Sequence, residues 1–228
     1  MKRIIGVGDN VVDRYPVLGI CFPGGNALNV AVFVRRLGAQ AAYVGWLGTD
    51  GAGRHIRGAL KAESVDISRV RMVEGPNAYD VVEVREGERE FVGSSRGVAA
   101  DFALTRDDID YAEGFDLVHT SVYSRTERYL PSLRGACGVL SFDYSGLEKL
   151  PAGYLEATLP SVDIACLSVG ALPLDEIRRV HEEMAGKGPR AVIRPQVQHR
   201  QRGTFRQGQS KRPPQRRQHR CRPVRRQR

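Results

Sequence analysis

The sequence predicts an α/β protein, a mainly parallel sheet layered with helices and carrying a small β appendage. Three observations predict it. Apolar runs of strand length recur through residues 1–193, helical patterns separate them, and residues 79–93 alternate apolar and polar side chains instead. Strands that alternate with helices form right-handed βαβ units and hence a parallel sheet. Strict alternation marks strands with one wet face.

The elements follow in order. Arg3-Ile4-Ile5-Gly6-Val7-Gly8 is an apolar run ending in glycine, the pattern of a buried parallel strand. Residues 26–37 are apolar on most faces and stop at Gly38, which predicts a helix packed inside the protein. Residues 41–46 give a second buried strand, followed by the turn Gly48-Thr49-Asp50-Gly51. Residues 54–63 read as an amphipathic helix with Ile56, Ala59 and Leu60 towards the core. Within 79–93, extended stretches flank Glu86-Gly87-Glu88 and predict a hairpin. Thr105-Arg106-Asp107-Asp108 has the form of a capping box opening a short helix. Apolar strands return at 117–120, 139–143, 163–167 and 191–193, with helices between them, the clearest at 174–185.

The pattern breaks at Arg194. Residues 194–228 hold 12 Arg, one Lys and eight Gln, with no Asp, Glu, Leu or Ala. Apart from proline their apolar side chains are Val197, Phe205, Cys221 and Val224, too few to offset the entropy of ordering. A domain at 1–193 and a disordered basic tail at 194–228 are expected. The net charge of +9 belongs to that tail, since residues 1–193 carry 22 basic and 26 acidic residues. A nucleic-acid-binding body is therefore excluded. The tail itself would bind nucleic acid only non-specifically, having just Phe205 to stack on bases.

Cys21, Cys137, Cys166 and Cys221 form no CxxC pair, and only Cys221 has a nearby histidine, His219. Neither a zinc site nor a disulfide framework is expected. Cys137 and Cys166 lie in apolar runs and read as small core residues. The N-terminus enters a strand without an apolar leader, and no stretch reaches membrane-spanning length. No membrane partner and a cytoplasmic location are expected.

Two motifs carry candidate chemistry. Gly8-Asp9-Asn10-Val11-Val12-Asp13 puts two carboxylates and an amide beyond the C-terminal end of the first strand. Open α/β sheets bind ligands there, and a carboxylate accepts hydrogen bonds from two polyol hydroxyls. A plain polar turn with a solvated acid fits the same residues. Gly24-Gly25-Asn26-Ala27-Leu28-Asn29 places two glycines before a helix, where backbone N–H groups approach a ligand closely. Asn26 and Asn29 share a helix face, and Asn29, an amide in an apolar helix, needs a partner. A helix start with one satisfied core asparagine is the bland alternative.

The run G-G-N-A-L-N-V-A-V-F-V-R-R-L-G resembles the N-terminal signature of ribokinase-like (PfkB) sugar kinases, and it follows a strand and an acidic turn as that family expects. G-D-N-V-V-D-R-Y-P, G-V-A-A-D-F-A-L-T, F-D-L-V-H-T and S-F-D-Y-S narrow the resemblance to the fructoselysine 6-kinase branch. It covers nearly all of residues 3–193. The resemblance implies a three-layer α/β/α ribokinase-like sandwich with a small β lid, the lid being the hairpin at 79–93. It implies an ATP-dependent kinase acting on a hydroxyl of a fructosamine such as fructoselysine, with ATP and Mg2+ as cofactors. It makes Asp13 the holder of sugar hydroxyls, with Gly24, Gly25 and Asn29 lining the pocket and Asp9, Asn10 and Asn26 as weaker candidates. Arg89 and Phe91 lie within reach from the lid, although a solvated charge and a packing contact are the simpler readings. The lid also offers a surface for a homodimer.

The family's late Asp-Thr-x-Gly-Ala-Gly-Asp run has no counterpart here, nor does its Asn-x-x-Glu pattern near the metal. In the family the first run holds the catalytic base and the anion hole, worth roughly 10²–10⁴-fold and 10²–10³-fold in rate. No catalytic or metal-ligating residue is therefore assigned. This form, truncated relative to the family's fold, is expected to lack the nucleotide site and to be inactive as a kinase; the alternatives are a non-catalytic sugar-binding remnant or a protein whose basic tail binds nucleic acid. The abrupt change of composition at Ile193 reads as a translated frameshift in a GC-rich gene.

Overall fold

Residues 1–85, 88–147, 150–168 and 173–193, with the backbone of 219–220, are described by a computed structural model. The first half runs β1 (Arg3–Val7), β2 (Val11–Tyr15), β3 (Ile20–Gly24), α1 (Asn26–Arg36), β4 (Gln40–Gly48), α2 (Gly51–Ala62), β5 (Val70–Val73), β6 (Tyr79–Arg85) and β7 (Glu88–Ser95). The second half adds α3 (Arg106–Ala112), β8 (Leu117–Ser121), α4 (Leu130–Ala136), β9 (Leu140–Gly146), α5 (Tyr154–Thr158), β10 (Ile164–Ser168), α6 (Leu174–Ala185) and β11 (Ala191–Ile193).

The main sheet has seven strands in the order β11-β10-β9-β8-β1-β4-β5, and every pairing in it is parallel. Alternation along each strand sends side chains to opposite faces. Ile5, Val7, Ala42 and Val44 join Leu130, Leu133, Leu159, Ile177 and Met184 in one core, beneath the helices that follow β7. Ala41, Tyr43 and Leu47 meet Ala27, Leu28, Ala31, Ile56 and Leu60 of α1 and α2 on the other face. Each fully buried Leu or Ile contributes about 1.5–3 kcal/mol, so both helical layers hold the sheet. The predicted α/β/α sandwich is present. β11 is the last strand in the order and forms one edge of the sheet among the described residues.

α1 packs closely because Gly6 has no side chain: a Cβ there would lie 2.1 Å from the Ala27 carbonyl oxygen. The capping box also forms, with the Asp108 carboxylate accepting from the Thr105 backbone N–H at 2.9 Å and from its hydroxyl at 2.7 Å.

The lid is larger than the hairpin predicted at 79–93. β6 and β7 pair antiparallel, and β2 and β3 join them in a mixed sheet of order β12-β3-β2-β6-β7. The short β12 (His219–Arg220) pairs antiparallel with Ile20 and Cys21. The predicted disordered tail otherwise lies outside the described residues, as does part of the hairpin turn, Glu86-Gly87. Pro16 and Gly19 between β2 and β3, and Pro23 within β3, hid both strands from pattern reading. Cys137 and Cys166 are free, whereas Cys21 is disulfide-bonded, against expectation. Among the described residues no helix is long and apolar enough to cross a membrane.

Candidate functional site

β1 ends at Val7, and the chain leaves the main sheet through Gly8 with φ +118°. Only glycine adopts that conformation without strain, and a Cβ there would lie 2.2 Å from the Ser124 Cβ. The next residues divide the first motif in two. Asp9 and Asn10 stay at the end of the main sheet, whereas Asp13 sits on β2, in the lid.

Asp9 is enclosed. Its Oδ1 accepts from the Ser121 hydroxyl at 2.8 Å, the Ser124 hydroxyl at 2.7 Å and the Ala27 backbone N–H at 3.2 Å. Its Oδ2 accepts from the backbone N–H of Asn26. The carboxylate thus caps α1, whose Gly25 N-cap has no side chain to do so. Asn10 is buried as well. Its amide donates to the Tyr43 hydroxyl at 3.0 Å and the Trp46 carbonyl at 2.9 Å, and its oxygen accepts from Asn77 at 3.0 Å. Asn77, fully buried, passes the brace on by accepting from the Gly48 N–H at 3.0 Å. Both N–H bonds of the Asn10 amide are spent inside the fold.

Asp13 keeps an open side. Its neighbours across the lid sheet are Phe22 on β3 and Asp80 on β6, and its Oδ2 lies 3.4 Å from where a Gly24 Cβ would be. Arg89 on β7 reaches that carboxylate with Nη2 at 3.1 Å. Arg89 is half exposed, as the solvated reading expects, and its guanidinium also lies over Tyr15 at 5.7 Å and Phe91 at 5.6 Å. Partial burial raises the Asp13 carboxyl above the usual range, and Arg89 opposes the shift.

The second motif is also divided. Gly25, with φ +109°, brings α1 against the Asp9–Asn10 backbone, where a Cβ would lie 2.5 Å from the Asn10 Cα. Asn26 donates through Nδ2 to Asp143 Oδ2 at 2.7 Å, while Asp143 Oδ1 accepts from the Ser145 N–H at 2.7 Å. Asn29 borders a cleft of about 820 Å³ between α1 and α2, with Phe22, Pro23, Val32 and Phe33 among its other walls. Asp13 and Gly24 therefore come together, and Asn26 joins an acid that motif reading passed over. Asp143 left a signal, an acid at the C-terminal end of a parallel strand within S-F-D-Y-S.

Behind this row His119 on β8 is buried. Its Nδ1 lies 3.2 Å from the Ser141 hydroxyl, and its Nε2 has no hydrogen-bond partner among the described residues. Burial lowers its pKa, and the charges of Asp143 and Asp9 oppose that in part. Among the described residues no group of three or more His, Cys, Asp and Glu is placed to hold a metal ion.

Residues 20–169 match the model of the pfkB family carbohydrate kinases. The chain is 39% identical over 194 residues to "Fructosamine kinase FrlD" of Bacillus subtilis (strain 168), covering 83% of this chain and 67% of that protein. It is 36% identical over 168 residues to "Fructoselysine 6-kinase" of Escherichia coli (strain K12), covering 74% and 64%. The chain thus spans about two thirds of the length of these relatives. Among solved structures, Arabidopsis thaliana ribokinase complexed with ribose and ATP superposes with a TM-score of 0.69 at 20% identity, over 85% of this chain and 71% of the other. A fructokinase with bound ATP from Xylella fastidiosa gives 0.65 at 21%, over 86% and 68%.

Proposed function

From this chain's membership of the pfkB family of carbohydrate kinases, we propose that residues 1–193 are the sugar-binding part of a kinase that phosphorylates a fructosamine such as fructoselysine. The observation that carries the reading is Asp13, a partly desolvated carboxylate held over Gly24 by the lid sheet. Its remaining lone pairs accept sugar hydroxyls. The Asn26 amide and the Asp143 carboxylate, fixed to each other at the strand ends, supply a donor and an acceptor opposite the lid. Asp9 and Asn10 position the walls: one caps α1, the other ties β1 to β4 and Asn77. Gly24 and Gly25 allow the close approach, and Asn29 borders the neighbouring cleft.

ATP would supply the phosphoryl group in the family's reaction, and Mg2+ would offset the charge on its phosphates. No residue of this chain is assigned to either, because its 228 residues contain no Gly-Ala-Gly-Asp run and its described residues no metal cluster. The polypeptide of residues 1–228 is thus read as a binder without turnover. Isothermal titration with fructoselysine, paired with an ADP-release assay on the same sample, tests both parts. Binding that Asp13→Asn weakens at least about tenfold, without ADP release, is the expected result. Undiminished binding by that variant removes Asp13 from the site, and ADP release removes the second part.

A further inference from the structure

Asp80 on β6 lies in parallel register with Asp13 on β2. Side chains paired across neighbouring strands leave a sheet on the same face, with the strands roughly 4.8 Å apart. Two carboxylates therefore stand side by side on the lid, both partly desolvated, and the charge of Asp13 acts on Asp80. Arg89 serves Asp13. Among the described residues no ion pair reaches Asp80. Arg89 is thus engaged by Asp13, and Asp80 stands beside that pair as a second partly buried acid.

Resting on the fructosamine reading, we propose that Asp80 is a specificity-determining residue that takes the ligand's protonated amine while the neighbouring Asp13 takes its hydroxyls. A fructosamine carries a secondary amine on the carbon beside its anomeric carbon, where fructose carries a hydroxyl. That amine is a cation at neutral pH. Against a partly desolvated carboxylate it forms a short charge-assisted hydrogen bond. Fructose brings no charge and leaves Asp80 unneutralised. Sites that satisfy a ligand's polar group reject the analogue lacking it, because their own group is then left unpaired.

Isothermal titration of the 228-residue chain and of Asp80→Asn, at neutral pH, with fructoselysine and with fructose, tests the assignment. The variant is expected to lose at least about tenfold in affinity for fructoselysine and to hold fructose within about twofold, with Asp80→Glu restoring part of the loss. Equal losses for both ligands, or none for fructoselysine, overturn it. A ligand-side comparison needs no variant: fructoselysine acetylated on the sugar-bearing nitrogen is neutral there and should bind wild type at least about tenfold more weakly. Equal affinity overturns the assignment. Wild type that binds fructose but not fructoselysine overturns the parent reading instead, and with it this one.

Discussion

The Asp9 carboxylate takes hydrogen bonds from Asn26, Ala27, Ser121 and Ser124, whereas Asp13 is held by Arg89 and keeps an open side. The two acids should fail differently. Asp9→Ala removes a helix cap, worth about 1 kcal/mol, and orphans buried hydroxyls at about 1–2 kcal/mol each, so urea unfolding should show a loss of about 3 kcal/mol. Asp13→Asn should change unfolding stability by less than about 1 kcal/mol, since its exposed ion pair is worth little, while sugar affinity falls. The sequence motif named both acids but not their different surroundings, which depend on the chain turning at Gly8 from one sheet into another. His119 adds a pH dependence. Its folded pKa lies below the ordinary 6.5 because burial disfavours the charged ring. The unfolded chain therefore takes up the proton first, and stability present above pH 6.5 is lost as the pH falls towards the folded value. Thermal melts from pH 7.5 to 5 should show this slope, and His119→Asn should flatten it whatever constant offset it adds.

At the scale of elements, the join between α1 and the strand ends is the most constrained part of the site. Gly25→Ala forces a side chain onto a left-handed backbone and into the Asn10 backbone. A loss of at least about 2 kcal/mol is expected, read as a melting temperature lower by roughly 4–8 °C. The long elements were legible because their periodicity is strong: α6 occupies Leu174–Ala185 as predicted, and Ile56 and Leu60 of α2 are buried as predicted. β2 and β3 were not, since short strands separated by Pro16 and Gly19, the second holding Pro23, resemble loops until a neighbouring strand pairs with them. The ion pair of the half-exposed Arg89 with Asp13 crosses the lid from β7 to β2, and no local pattern encodes that contact.

For the molecule as a whole, the two helical layers and four strands of the lid arise within residues 1–193, β12 of the basic tail adds a fifth strand, and the net positive charge belongs to that tail. The chain spans about two thirds of its curated relatives, and its proposed sugar pocket needs only the lid, α1 and the ends of β1 and β9. The central claim is that a fructosamine's sugar sits between Asp13 of the lid and the Asn26–Asp143 pair. A crystal structure of the 228-residue chain with fructoselysine tests it most directly. The predicted result places sugar hydroxyls within hydrogen-bond distance of the Asp13 carboxylate, above Gly24 and facing Asn26 and Asp143. A sugar seated instead in the cleft between α1 and α2, with Asp13 touching only Arg89, would contradict it.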